Sequence, residues 1–154
     1  MSDVHIRPAR PADAAEVAEV FLRSFHTALP TVHLAHSDDE VRAWYATEVL
    51  PDPERETWVA VAADGRLLIG MMVLGRTMLE HLYLLPEARG AGLGDRFIAL
   101  AKERRPDGFQ LYAFQVNGPA CRFYERHGLV AIEYGDGSGN QEHEPDVRYA
   151  WTPG

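Results

Sequence analysis

Leu82-Tyr83-Leu84-Leu85-Pro86-Glu87-Ala88-Arg89-Gly90-Ala91-Gly92-Leu93-Gly94 is the stretch on which the reading of this chain turns. The apolar run from Met78 to Leu85 has the length of a strand and stops at a proline, which cannot donate to a ladder. After the glycines, Leu93, Phe97, Leu100, Ala101 and Arg104 recur on one helical face. A strand, a glycine-rich turn and a helix in that order place unpaired amides and the positive end of the helix dipole at one point, which favours an anion. Glycine lets the backbone approach a diphosphate closely, and Arg89 adds a charge-assisted contact. The Lys-Ser/Thr of a P-loop is missing and the glycines are not spaced as in a dinucleotide-binding turn. From the glycines alone, a plain turn with a helix cap fits equally well.

Working outward, Val4 to Pro8 reads as a strand, and Asp13 with Glu16 has capping-box spacing before Val17, Val20, Phe21 and Phe25 at helical intervals. Ser37 and Glu40 open a second helix through Trp44, Tyr45 and Leu50, stopped by Pro51 and Pro53. Two apolar runs around Asp64-Gly65 form a hairpin. Downstream lie a strand at Gln110 to Phe114, a helix at Asn117 to His127 ended by Gly128, and strands at Val130 to Tyr134 and Val147 to Trp151, with a glycine-rich acidic excursion between them. This order predicts an α/β fold of α+β type: a mixed, mostly antiparallel sheet of about seven strands flanked by about four helices.

The 154 residues suit one domain, 1–154. A net charge of −8 argues against general nucleic-acid binding, which needs a Lys/Arg excess. The lone Cys121 forms no internal disulfide and builds no structural zinc site, so no metal is expected and a reducing compartment is the default. With no signal-like or membrane-length apolar run, the expectation is a soluble, cytoplasmic protein with no membrane partner.

Two motifs together resemble the GCN5-related N-acetyltransferase (GNAT) family. Arg89-x-x-Gly92-x-Gly94 after the strand resembles its acyl-CoA signature, and Asn117-x-x-Ala120-x-x-Phe123-Tyr124-Glu125-Arg126-x-Gly128 resembles its second motif. The resemblance implies that acetyl-CoA is the co-substrate, lying in a V-shaped opening between the strands at Met78 to Leu85 and Gln110 to Phe114. Main-chain groups of Leu82, Tyr83 and Leu84 would meet the pantetheine arm. Amides from Arg89, Gly90, Ala91, Gly92, Leu93 and Gly94 would meet the diphosphate, and Asn117 would hydrogen-bond the arm. The acceptor would be an amine of a small molecule or peptide. A homodimer is a candidate assembly, because homodimers are common in the family and the last strands offer sheet edges.

Acyl transfer to an amine needs a neutral nucleophile, a polarised carbonyl and a protonated leaving group. A phenol suits the last task, and Tyr124, two helical turns beyond Asn117, is the candidate acid. The resemblance assigns the oxyanion donor to a strand amide freed by a bulge, here Leu84. Glu80 is the candidate base and His81 its rival, placed by strand alternation on the opposite face. The competing readings are a non-catalytic acyl-CoA-binding module and a transferase of another acyl group.

Overall fold

A computed structural model describes residues 4–154. Its elements are β1 (His5–Pro8), α1 (Ala14–Ala28), α2 (Asp38–Trp44), β2 (Glu56–Val61), β3 (Leu68–Leu74), β4 (Leu79–Leu84), α3 (Leu93–Arg104), β5 (Phe109–Phe114), α4 (Gly118–Arg126), β6 (Val130–Gly135) and β7 (Asp146–Trp151). Seven strands and four α-helices are thus present, as the sequence predicts. They are divided between two antiparallel sheets, ordered β1-β2-β3-β4 and β5-β7-β6. A parallel bridge between Met78 and Gln110 joins them, with Gln110 N donating to Thr77 O at 2.9 Å. Beyond this join the facing edges of β4 and β5 are unpaired, so each presents backbone groups to the space between the sheets.

β3 is apolar along its length because it is covered on both faces. Met71 and Val73 face a core with Val17, Phe21, Phe25 and Tyr45, while Met72 and Leu74 face a core with Phe97, Ile98, Leu111 and Tyr149. Each such side chain contributes roughly 1.5–3 kcal/mol through burial. At Gly70 a Cβ would lie 2.8 Å from the Leu84 side chain and 3.2 Å from Phe97, so the absence of a side chain there lets α3 sit close to the sheet.

The capping box at Ser37 and Glu40 forms as predicted, with Ser37 Oγ accepting from Glu40 N at 3.2 Å and Glu40 Oε1 from Ser37 N at 2.8 Å. The predicted cap at Asp13 does not form. Residues Pro11–Asp13 make a 3-10 turn, and the Asp13 carboxylate turns back to Arg10 N at 2.7 Å and to the Arg7 guanidinium at 2.8 and 3.2 Å. The reason is burial: a carboxylate that is 7% exposed needs a counter-charge, and β1 supplies Arg7. Hydrogen bonding from Arg7 holds Asp13 below the usual aspartate range, against the effect of burial. The second helix widens into a π-turn at Tyr45–Val49, with Leu50 N donating to Tyr45 O at 3.0 Å. Such widened turns are frequent at functional sites, and Tyr45 borders a cavity between the sheets.

Candidate active site

Two cavities meet between the sheets. The larger, about 1130 Å³, runs from the glycine turn past β4 and β5 to α4 and the β6–β7 loop. The smaller, about 610 Å³, opens between α1, α2 and the same two strands. They share Phe25, Glu80, Tyr83, Tyr112, Phe114 and Glu142.

At one end of the larger cavity, Gly90 and Gly92 adopt φ of 83° and 82°, a conformation that costs residues with a side chain roughly 1–2 kcal/mol. The first internal bond of α3 is Arg96 N to Gly92 O at 3.1 Å, so the amides of Leu93, Gly94 and Asp95 precede it and are free for an anion. Gly90, Gly92 and Gly94 line the cavity, whereas the Leu93 side chain points into the core. Ala91 completes the turn between the glycines. Arg89 lines the cavity as well, and its Nη2 donates to Ser24 Oγ at 3.0 Å, tying the turn to α1. Ser24 was legible only as a polar residue on the apolar face of α1, and its partner was not. Asp95 brings a negative charge to the same end, balanced by His127 Nε2 at 2.6 Å and Arg126 Nη2 at 3.3 Å. The His127 hydrogen bond holds the Asp95 carboxyl below its ordinary range.

Along β4 the ladder determines which amides are free. Leu85 N donates to Ile69 O, and Leu84 faces Gly70 while Leu82 faces Met72. Antiparallel pairs alternate, so Leu82 and Leu84 occupy the non-hydrogen-bonded positions and aim their N–H and C=O groups at the open edge. The bulge expected at Leu84 is instead at Glu80: Val73 pairs with His81 and Leu74 with Leu79, leaving Glu80 unmatched. Strand alternation, without a bulge, is what frees the Leu84 amide. Tyr83 points its ring to the α1 side, edge-on to Phe21 at 4.8 Å, and burial raises its phenol pKa.

On α4, Asn117 is the N-cap, its Oδ1 accepting from Ala120 N at 3.3 Å, and the residue also lines the larger cavity. Tyr124 lines that cavity too. Its ring is 9% exposed, and among the described residues its hydroxyl has no hydrogen-bonding partner. Burial, then the neighbouring Tyr83 and Cys121, push its pKa up, so it stays a protonated donor across the neutral range. Cys121, on α4, has its Sγ 3.7 Å from Phe114 O and is half-buried against the core.

Strand alternation places Glu80 and His81 on opposite faces, but the bulge at Glu80 interrupts it and both border the smaller cavity. Glu80 Oε1 accepts from Arg55 Nε at 2.9 Å, and its other oxygen lies against Gly75. His81 Nδ1 is 2.7 Å from Tyr45 Oη within a cluster of Phe21, Trp44 and Tyr83. Burial, reinforced by the charge of Arg55, lowers its pKa to about 4. Among the described residues no group of three or more His, Cys, Asp or Glu is placed to hold a metal ion, and no helix is long and apolar enough to cross a membrane.

A family profile described as an acetyltransferase (GNAT) domain matches residues 53–130, from before β2 to the start of β6. The chain belongs to the GNAT family. Its domain is that of an acetyltransferase enzyme. Among curated proteins, none matches the chain. Solved GNAT-like folds do. Apo YjaB from Escherichia coli is 20% identical with a TM-score of 0.78, covering 98% of this chain and 99% of its own. The PaiA N-acetyltransferase from Thermoplasma acidophilum, solved in complex with coenzyme A, is 19% identical with a TM-score of 0.75 over 98% of this chain and 99% of its own. NAA60 from Arabidopsis thaliana, solved with acetyl-CoA, is 15% identical with a TM-score of 0.72 over 97% and 98%. At these identities the likeness establishes a shared GNAT fold.

Proposed function

We propose that this GNAT domain transfers acetyl from acetyl-CoA directly to a primary amine of a small molecule or peptide. The observation that carries the reading is the Tyr124 hydroxyl, which has no hydrogen-bonding partner among the described residues and belongs to the cavity wall, while the cradle and the outward Leu82 and Leu84 groups line the same space. An unpartnered phenol on a cavity wall is free to donate to a bound ligand. Coenzyme A in PaiA and acetyl-CoA in NAA60 accompany the same fold, which supports the choice of co-substrate.

In this reading the amides of Leu93, Gly94 and Asp95 hold the diphosphate, with Gly90 and Gly92 letting it approach and Arg89 fastening the turn to α1. Asn117 and the main chain of Leu82 guide the pantetheine arm; Tyr83, expected to share that role, pairs with Met71 in the ladder and turns its main-chain groups to β3. The Leu84 amide donates to the carbonyl oxygen as charge develops there, and Tyr124 gives its proton to the departing sulfur. Glu80 takes the proton of the attacking amine through water, since one carboxylate oxygen is held by Arg55 and the other lies against Gly75. His81 is a poor base here, because its pKa of about 4 gives it little affinity for a proton at neutral pH.

The test combines thermal unfolding with CoA release. Acetyl-CoA at about 100 times Kd should stabilise the protein by roughly 2.7 kcal/mol, with no effect of ATP or NAD. An amine panel should then release CoA. Saturable binding of acetyl-CoA without CoA release by any amine would instead identify a binding module.

A further inference from the structure

The smaller cavity differs in chemistry from the larger. Trp44, Tyr45, His81, Tyr83, Tyr112 and Phe114 give its wall an aromatic character, and among the described residues lining it there is no lysine or arginine. His81 adds no positive charge at neutral pH, being buried and held by Tyr45. Arg55, the nearest guanidinium, lies 5.7 Å from the Trp44 ring centroid and is occupied by Glu80 at 2.9 Å and Asp52 at 3.4 Å.

Three carboxylates, Glu40, Glu80 and Glu142, border the same space. Glu80 is balanced by Arg55, whereas Glu40 and Glu142 are engaged by the uncharged amides of Ser37 and Ala35. His36 approaches Glu40 only to 3.9 Å. The cavity thus keeps two carboxylates, Glu40 and Glu142, with no lysine or arginine partner among its described lining residues, inside aromatic walls that attract cations and accept an apolar body. A carboxylate on the same molecule would meet like charge and find no cationic side chain to pair with.

We infer that the smaller cavity, as the acceptor subsite, selects a cationic amine with an aromatic or apolar body and no carboxylate. This rests on the transferase reading above, because the subsite meets the thioester region through the shared residues Glu80, Tyr83 and Phe114. Trp44, at the rim, is a specificity-determining residue for the body of the amine.

The probes are 2-phenylethylamine and phenylalanine, each measured for binding to the CoA-loaded protein by tryptophan fluorescence and for turnover with acetyl-CoA. The expected kcat/KM for 2-phenylethylamine exceeds that for phenylalanine by about 30-fold or more, from like-charge repulsion of the carboxylate. Trp44→Ala should raise KM about 10-fold with little change in kcat, and Trp44→Phe should restore most of it. Binding of 2-phenylethylamine with this selectivity but without turnover supports the subsite and overturns the transferase reading. Turnover with no preference between the two, or with phenylalanine preferred, overturns the subsite and leaves the transferase reading standing. Absence of both binding and turnover with 2-phenylethylamine overturns the subsite.

Discussion

Tyr124→Phe separates catalysis from stability, because the structure makes the two effects unequal. The substitution removes one hydroxyl that has no protein partner among the described residues, while the ring keeps its neighbours Phe123 and Tyr149 at centroid distances of 5.4 and 6.0 Å. No internal hydrogen bond is lost and no cavity larger than one oxygen is created, so stability should stay within about 0.5 kcal/mol of the parent. A general acid contributes typically 10²–10⁴-fold, and the lower part of that range, about 10² to 10³, corresponds to roughly 2.7–4.1 kcal/mol of barrier. The measurements are kcat and KM in a CoA-release assay, Kd for acetyl-CoA, and urea unfolding. The control is Tyr149→Phe, which breaks the 2.6 Å bond to Glu125 Oε2. Glu125 is exposed and regains water, so that loss should cost about 1 kcal/mol of stability and less than about twofold in kcat. A Tyr124→Phe enzyme with kcat within about threefold of the parent refutes the proton-donor role.

Other perturbations follow from the same geometry. Gly92→Ala places a side chain at φ 82° and should cost about 1–2 kcal/mol while weakening acetyl-CoA binding at least about 10-fold, measured by thermal shift; unchanged affinity would remove the turn from the binding site. Glu80→Gln should lower kcat/KM about 10²-fold with acetyl-CoA affinity intact, and a parent-like value would assign proton removal to solvent. His81 makes stability depend on pH: with a folded pKa near 4 against 6.5 unfolded, the unfolded chain binds more protons between those values. Stability should therefore rise by up to about 3 kcal/mol from pH 4 to 6.5, and His81→Gln should flatten that part of the profile in urea titrations at pH 4.5 and 7. Glu56 acts in a more acid window. Its burial is outweighed by hydrogen bonds from Arg104, Arg105 and Trp58, which bring its pKa to about 2, so about 1–2 kcal/mol should be lost as pH falls from 4.5 to 2, and Glu56→Gln should remove it.

What the sequence by itself determined is what depends on local periodicity and on backbone chemistry. The apolar run before Pro86, the positive-φ glycines, the helical face from Leu93 to Arg104 and the capping box at Ser37 are each set by a few adjacent residues, and each took the expected form. Together they made the family legible, because the resemblance rests on a strand, a glycine-rich turn and a helix at fixed spacing. Pairings between distant residues were decided only by the tertiary structure. Asp13 turned to Arg7 rather than capping α1, Arg89 reached Ser24, Glu80 met Arg55 and His81 met Tyr45. In each case a buried or half-buried polar group took a partner that packing brought near, and sequence spacing carries no record of that proximity. The bulge is the same lesson on the backbone. Its place at Glu80 follows from how β4 registers on β3, a relation between two strands that neither strand's own residues specify.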